Sequence, residues 1–111
     1  MKRLLVFVFA AALLGSCSES VTLIPDENFE QALIELGYDD TLDGSVKTSS
    51  IDNIVNLSLE AGNIRNLSGI EDFKSLSVLG CSDNPIVNLD LSKNTELTEL
   101  WCWKSYGYED S

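Results

Sequence analysis

A phrase that restarts at a fixed interval constrains this chain more than any other feature. Leu76-Ser77-Val78-Leu79-Gly80-Cys81 returns as Leu97-Thr98-Glu99-Leu100-Trp101-Cys102, each apolar position displaced by 21 residues. An earlier copy runs Ile54-Val55-Asn56-Leu57-Ser58-Leu59, and Asn63 stands 21 residues before Asn84. Leu57 lies 22 residues before Leu79, so the first copy carries one extra residue within Glu60-Ala61-Gly62. Self-similarity at such a period marks stacked coils. Each coil buries one edge, and its neighbours complete the core.

The physics of one coil can be read directly. Leu79 and Cys81 alternate with Val78, Gly80 and Ser82, so they share one face of a short strand. Asn84 then turns the chain, its amide bonding main-chain groups at the bend. Beyond the bend, Ile64, Leu67, Ile70, Phe73 and Leu76 fall every third residue. That spacing suits a tight helical turn or an extended return leg. Over residues 24–102 this pattern resembles the leucine-rich repeat proteins, most closely the short-repeat, cysteine-containing kind on bacterial surface lipoproteins. The resemblance implies an α/β solenoid, with an N-terminal capping helix followed by about two coils with short parallel strands. It fades at Ser105, which stands where an Asn is expected. After Trp103 come only Lys-Ser-Tyr-Gly-Tyr-Glu-Asp-Ser. Either the chain is a shortened relative or fragment of a longer repeat protein, or a divergent tail folds over the last strand.

The expected organisation has four parts. Residues 1–16 form a lipoprotein signal peptide, 17–23 a tether, 24–50 the helical cap and its loop, and 51–111 the repeats. Lys2 and Arg3 precede an apolar run too short to span a bilayer, as in a signal-peptide core. Leu14-Gly15-Ser16-Cys17 resembles the lipoprotein signature, in which Cys17 is acylated and becomes the mature N-terminus. Ordinary secretion with an incidental cysteine is the alternative. The net charge is −11. Loss of residues 1–16, which carry two basic residues and no acid, would leave −13. Such a surface repels phosphate backbones, which excludes nucleic acid as a partner. A solubilising surface explains the charge more simply than an acidic recognition patch.

Pro25 to Gly37 is the helix candidate. Asp26 is the N-cap, and Glu27 and Glu30 favour the positive end of the helix dipole. Phe29, Leu33 and Leu36 make one apolar stripe, with Ala32 beside it. Gly37 supplies the left-handed C-terminal residue. A lid over the first coil explains the stripe better than a partner-binding helix. In the following loop Asp39, Thr41, Asp43 and Gly44 fit the first positions of a Ca²⁺ loop. Ser50 stands where a bidentate carboxylate is needed, so a metal is not the expected reading and no cofactor is implied. Asp40-Thr41-Leu42 also resembles a short bacterial O-glycosylation acceptor. Val46 and Ile51 are expected to open the first strand region.

Cys81 and Cys102 occupy equivalent inward positions on neighbouring coils, about 4.8 Å apart at Cα. That is within disulfide reach. Side chains stacked in register point the same way, so a ladder of two buried thiols is the expectation.

The outward strand positions form the candidate binding face in three columns. These are Asn56, Val78 and Glu99; Ser58, Gly80 and Trp101; and Glu60, Ser82 and Trp103. Gly80 is expected to leave room beside Trp101. Outward tryptophans stack on sugars or anchor protein partners; alternatively they cover a neighbouring coil. The chain has no His, and its carboxylates are scattered at turns, so no catalytic constellation is read from it. The expectation is therefore a non-catalytic envelope lipoprotein at the outer membrane or cell surface, binding a protein or glycan through this face. The alternatives are an assembly subunit docking by its open edge, or the non-catalytic part of a longer adhesin or enzyme.

Overall fold

The computed structural model describes residues 20–103. Strand β1 (Val21–Leu23) leads into helix α1 (Glu27–Glu35), and the cap closes with strand β2 (Ser45–Lys47). β1 and β2 pair antiparallel, with Thr22 opposite Val46. Residues 21–23, expected within the tether, are thus part of the cap. Val46 ends the cap rather than opening the stack, and Ile51 lies in the four-residue helix α2 (Thr48–Ile51).

The facing of β1 is the reverse of what hydrophobicity suggests. Val21 and Leu23 are exposed, whereas Thr22 is only 2% exposed. Thr22 Oγ1 donates to Asp72 Oδ2 at 2.7 Å and lies 2.7 Å from Thr48 Oγ1. A buried hydroxyl with partners avoids the desolvation cost of an unpaired one.

In α1, Asp26 Oδ1 accepts from the main-chain N–H groups of Asn28 and Phe29, as an N-cap should. Phe29 and Leu33 are buried. Leu36 is the C-cap and is 47% exposed, so the expected stripe ends one turn early. Gly37 follows at φ 91° and turns the chain away.

The parallel strands β3 (Asn56–Ser58), β4 (Val78–Gly80) and β5 (Glu99–Trp101) then stack in the order β3-β4-β5. Their register aligns Leu57 with Leu79 and Leu100. Leu57, Leu59, Leu79 and Cys81 line the strand side of the core. Ile64, Leu67, Ile70, Phe73 and Leu76 line the return side, all buried. Their spacing of three fits the 3₁₀ turn at Ile70–Asp72. Phe29 stacks on Phe73 with ring centroids 6.0 Å apart, which seats the cap on the first return leg.

Two positions let these parts meet. Gly69 has φ 106°, and a Cβ there would lie 2.7 Å from the Leu23 carbonyl oxygen. Only glycine tolerates both that backbone and that approach. Asn84 Oδ1 accepts from the N–H groups of Gly62 and Ile64 in the coil before. Its Nδ2 lies 2.7 Å from the Leu59 carbonyl and 3.1 Å from that of Cys81. Asn63, matched to Asn84 by spacing, does a different job. It is exposed at φ 60°, and the extra residue is not at this bend as expected. Asn66 still bridges Asn88, 22 residues on, whereas the turn from Ile70 to Phe73 recurs 21 residues on from Leu91 to Asn94, so the extra residue lies between Asn66 and Ile70.

On the second return leg, Asn94 takes the place that Phe73 holds 21 residues earlier. It is buried, and its Nδ2 donates to the carbonyls of Ile70 and Phe73 at 2.8 and 3.2 Å. The period-three reading of the first leg overlooked it. The signal was the same 21-residue offset.

Candidate functional site

The strand face is assembled by the parallel register. Asn56 pairs with Val78 and Glu99, and Ser58 with Gly80 and Trp101, as the spacing requires. The third column continues past the named strands. Ala61 N–H donates to the Ser82 carbonyl, and Asp83 N–H to that of Trp103, at 3.0 and 2.8 Å. Strand alternation turns Trp101 and Trp103 outward, where they are 53% and 55% exposed. Asn56, Ser58, Glu60 and Glu99 are exposed as well, and Val78 is half-buried.

Two members of the face present little surface. Ser82 is buried, and its Oγ accepts from the Trp103 main-chain N–H at 3.2 Å. Its hydroxyl is thus engaged with the Trp103 main chain. Gly80 is buried too, because the Glu60 carboxylate folds over it. A Cβ on Gly80 would collide with Glu60 Oε2. The Ser58 hydroxyl donates to Glu60 Oε1 and holds the carboxylate there. The room expected beside Trp101 is therefore occupied by a carboxylate. The face that results has two indole rings, with the carboxylates of Glu60 and Glu99 on the same outward side. Rings of this kind offer large rigid contact area, and carboxylates accept from cationic or hydroxyl donors.

The cysteines lie on the inward side of the same strands. Cys81 is buried and Cys102 exposed, and both are free thiols. The expected pair of buried thiols is corrected at Cys102, whose inward side is uncovered, as is that of Leu100, 45% exposed. The two sulfurs are 3.0 Å apart. Burial, with Cys102 alongside, pushes the Cys81 thiol well above its ordinary range.

In the cap loop, Asp39 and Asp43 do converge, but their third partner is Glu30 rather than Thr41. Carboxylate oxygens of these three residues lie within 4.8 Å of one another. Thr41 is exposed, and its hydroxyl donates to Asp40 Oδ1. Glu30, read from the sequence only as a helix-dipole residue, is buried and accepts from the N–H groups of Asp43 and Gly44 at 3.2 and 2.8 Å. It clamps the loop to the helix. Burial, reinforced by Asp39, pushes its carboxyl above the ordinary value of 4.5. The main-chain contacts from Asp43 and Gly44 account for the position of the Glu30 carboxylate.

Cys17 and Ser105 lie outside the described residues. Among the described residues, no helix is long and apolar enough to cross a membrane.

No protein-family model matches the chain, and no curated protein matches it. Solved structures do. The functional domain of InlJ from Listeria monocytogenes, which includes a cysteine ladder, superposes with a TM-score of 0.60 at 26% identity. The match covers 74% of this chain and 19% of that one. The internalin InlF of L. monocytogenes gives a TM-score of 0.60 at 20% identity, over 72% of this chain and 24% of that one. Internalin C2 from the same species gives 0.56 at 22% identity, over 76% and 40%. The fold is thus leucine-rich-repeat-like, and the chain spans less than half the length of each of these structures.

Proposed function

We propose that this protein is a non-catalytic binding module of the bacterial cell envelope, lipid-anchored through Cys17, that recognises a protein or glycan with its outward strand face. One observation carries the reading. Trp101 and Trp103 project from the outward side of the edge strand β5 and its continuation, each more than half exposed. Large aromatic surface held rigidly on a strand is characteristic of recognition sites. The likeness to internalins supports a surface-binding role of the repeat fold, and the chain's lipoprotein-like leader supports the location.

The test is a double Trp101→Ala/Trp103→Ala variant of the full chain, screened beside the parent on arrays of glycans and extracellular proteins. Ligands of the face should bind the parent and lose about tenfold or more in affinity in the variant, as truncated hot spots do. The melting temperature should be nearly unchanged. If the variant instead melts much lower, the rings pack the fold and the recognition reading fails.

A second reading rests on a different observation. Among the described residues β5 pairs on one side only, and Val87, Leu89 and Leu100 are exposed beside it. That edge could dock another subunit. A mass that rises with concentration, and is unaffected by changing the tryptophans, would favour assembly over ligand binding.

A further inference from the structure

We propose that Cys81 and Cys102 are a cross-linking site, closed into a disulfide that fastens the last coil to the one before it. Three observations converge on this pair. The first is register. Gly80 stands opposite Trp101, and the Cys81 N–H donates to the Trp101 carbonyl at 2.7 Å. The neighbouring cysteines therefore sit about one strand spacing apart, roughly 4.8 Å, inside the Cα range of natural disulfides.

The second is convergence. Side chains stacked in strict parallel would hold their sulfurs near the same strand spacing. The sulfurs are instead 3.0 Å apart. The thiols lean toward each other, to about 1 Å beyond a bond length of about 2.05 Å.

The third is access. Cys102 is exposed, so it is not simply filling the core. A cleft of about 270 Å³ opens beside both cysteines, between Ile86, Leu89 and Trp103.

The chemistry assigns the two sulfurs different roles. The oxidant is a disulfide, RSSR, of the kind present outside the cytoplasm. The exposed Cys102, as thiolate, attacks one sulfur of RSSR. It forms a mixed disulfide and expels RS⁻, which takes up the proton Cys102 released. Cys81 then loses its proton and attacks Cys102 Sγ, expelling the second RS⁻, which is protonated in turn. The cysteine pair gives up two electrons and two protons, and RSSR becomes two RSH. The buried Cys81 ionises reluctantly and serves as the second, intramolecular attacker, where proximity compensates for its small thiolate fraction.

The sequence provides a clean test. Cleavage after Lys74, Lys93 and Lys104 places Cys81 and Cys102 on separate peptides, residues 75–93 and 94–104. The full chain is incubated with oxidised glutathione, alkylated without reduction, and digested. The expected product is a monomer in which these two peptides are joined and separate only on reduction. The oxidised monomer should melt higher than the reduced one by on the order of 10 °C, since the bond closes a short loop. Cys81→Ser and Cys102→Ser should each abolish both the joined peptide and the rise. The proposal is overturned if both thiols remain alkylatable after oxidation. It is equally overturned if Cys102 is found only bound to glutathione, to Cys17, or to a second chain. Joined peptides with no rise in melting temperature would overturn the fastening of the coil.

Discussion

Asp26 is where the cap and the first coil are tied together, and its removal should be felt in both. One carboxylate oxygen accepts from Asn28 and Phe29 at the start of α1, at 2.9 and 3.1 Å. The other accepts from the N–H groups of Arg65 and Asn66 in the first coil, both at 2.9 Å. Asp26→Ala deprives four donors at once. Loss of an N-cap costs about 1 kcal/mol. The bond from Asn66 is partly buried and goes to a charged acceptor, which is worth about 1.5 kcal/mol at the low end. The Arg65 N–H is exposed and rehydrates, so it adds little. The expected loss is about 2.5 kcal/mol, or roughly 10–20 °C in melting temperature for a domain of this size. Urea unfolding followed by far-ultraviolet circular dichroism measures it. Asp26→Asn separates the two halves. The amide oxygen can keep the cap, but the amide nitrogen then faces two N–H donors and the tie to the coil is lost. Its midpoint should fall below the parent's and lie above that of Asp26→Ala. An Asp26→Asn midpoint equal to the parent's would refute the tie.

Two further outcomes follow from the core and the cap. Leu79 is fully buried between coils, so Leu79→Ala should cost about 2–5 kcal/mol, far more than Val78→Ser on the outward side; the reverse order in urea midpoints would show the strand register inverted. Glu30, facing Asp39 and Asp43, has a carboxyl pKa raised in the folded state, so the unfolded chain loses that proton first as pH rises. Its contribution is full below about pH 4.5 and is lost as pH climbs through the raised folded value. Comparing urea midpoints from pH 4 to 8, Glu30→Gln should remove this downward component, and identical slopes for parent and variant would contradict it.

What the sequence made legible was direction, and what it hid was covering. A strand's alternation fixes which way each side chain points, and the repeat offset, 22 residues and then 21, fixes which residue lies beside which. Hence Leu57, Leu79 and Leu100 align, Trp101 and Trp103 turn outward, and Asn84 reaches the coil before it. Covering depends on residues far away in the chain. Thr22 is buried because Asp72 and Thr48 receive it, 50 and 26 residues on. Ser82 is buried with its hydroxyl bonded to the Trp103 main chain, and Gly80 lies beneath the Glu60 side chain, whose rotamer no spacing reveals. Glu30 escaped notice because its partners belong to a loop 13 and 14 residues later. The distinction bears on function. Leu100 and Cys102 point inward yet are exposed, since nothing among the described residues covers them. A further coil or a docked subunit would bury those two from the edge. It would extend the outward face alongside Trp101 and Trp103 without turning them inward, because alternation fixes their direction. Edge docking and recognition by the strand face therefore use different residues, and one chain can carry both.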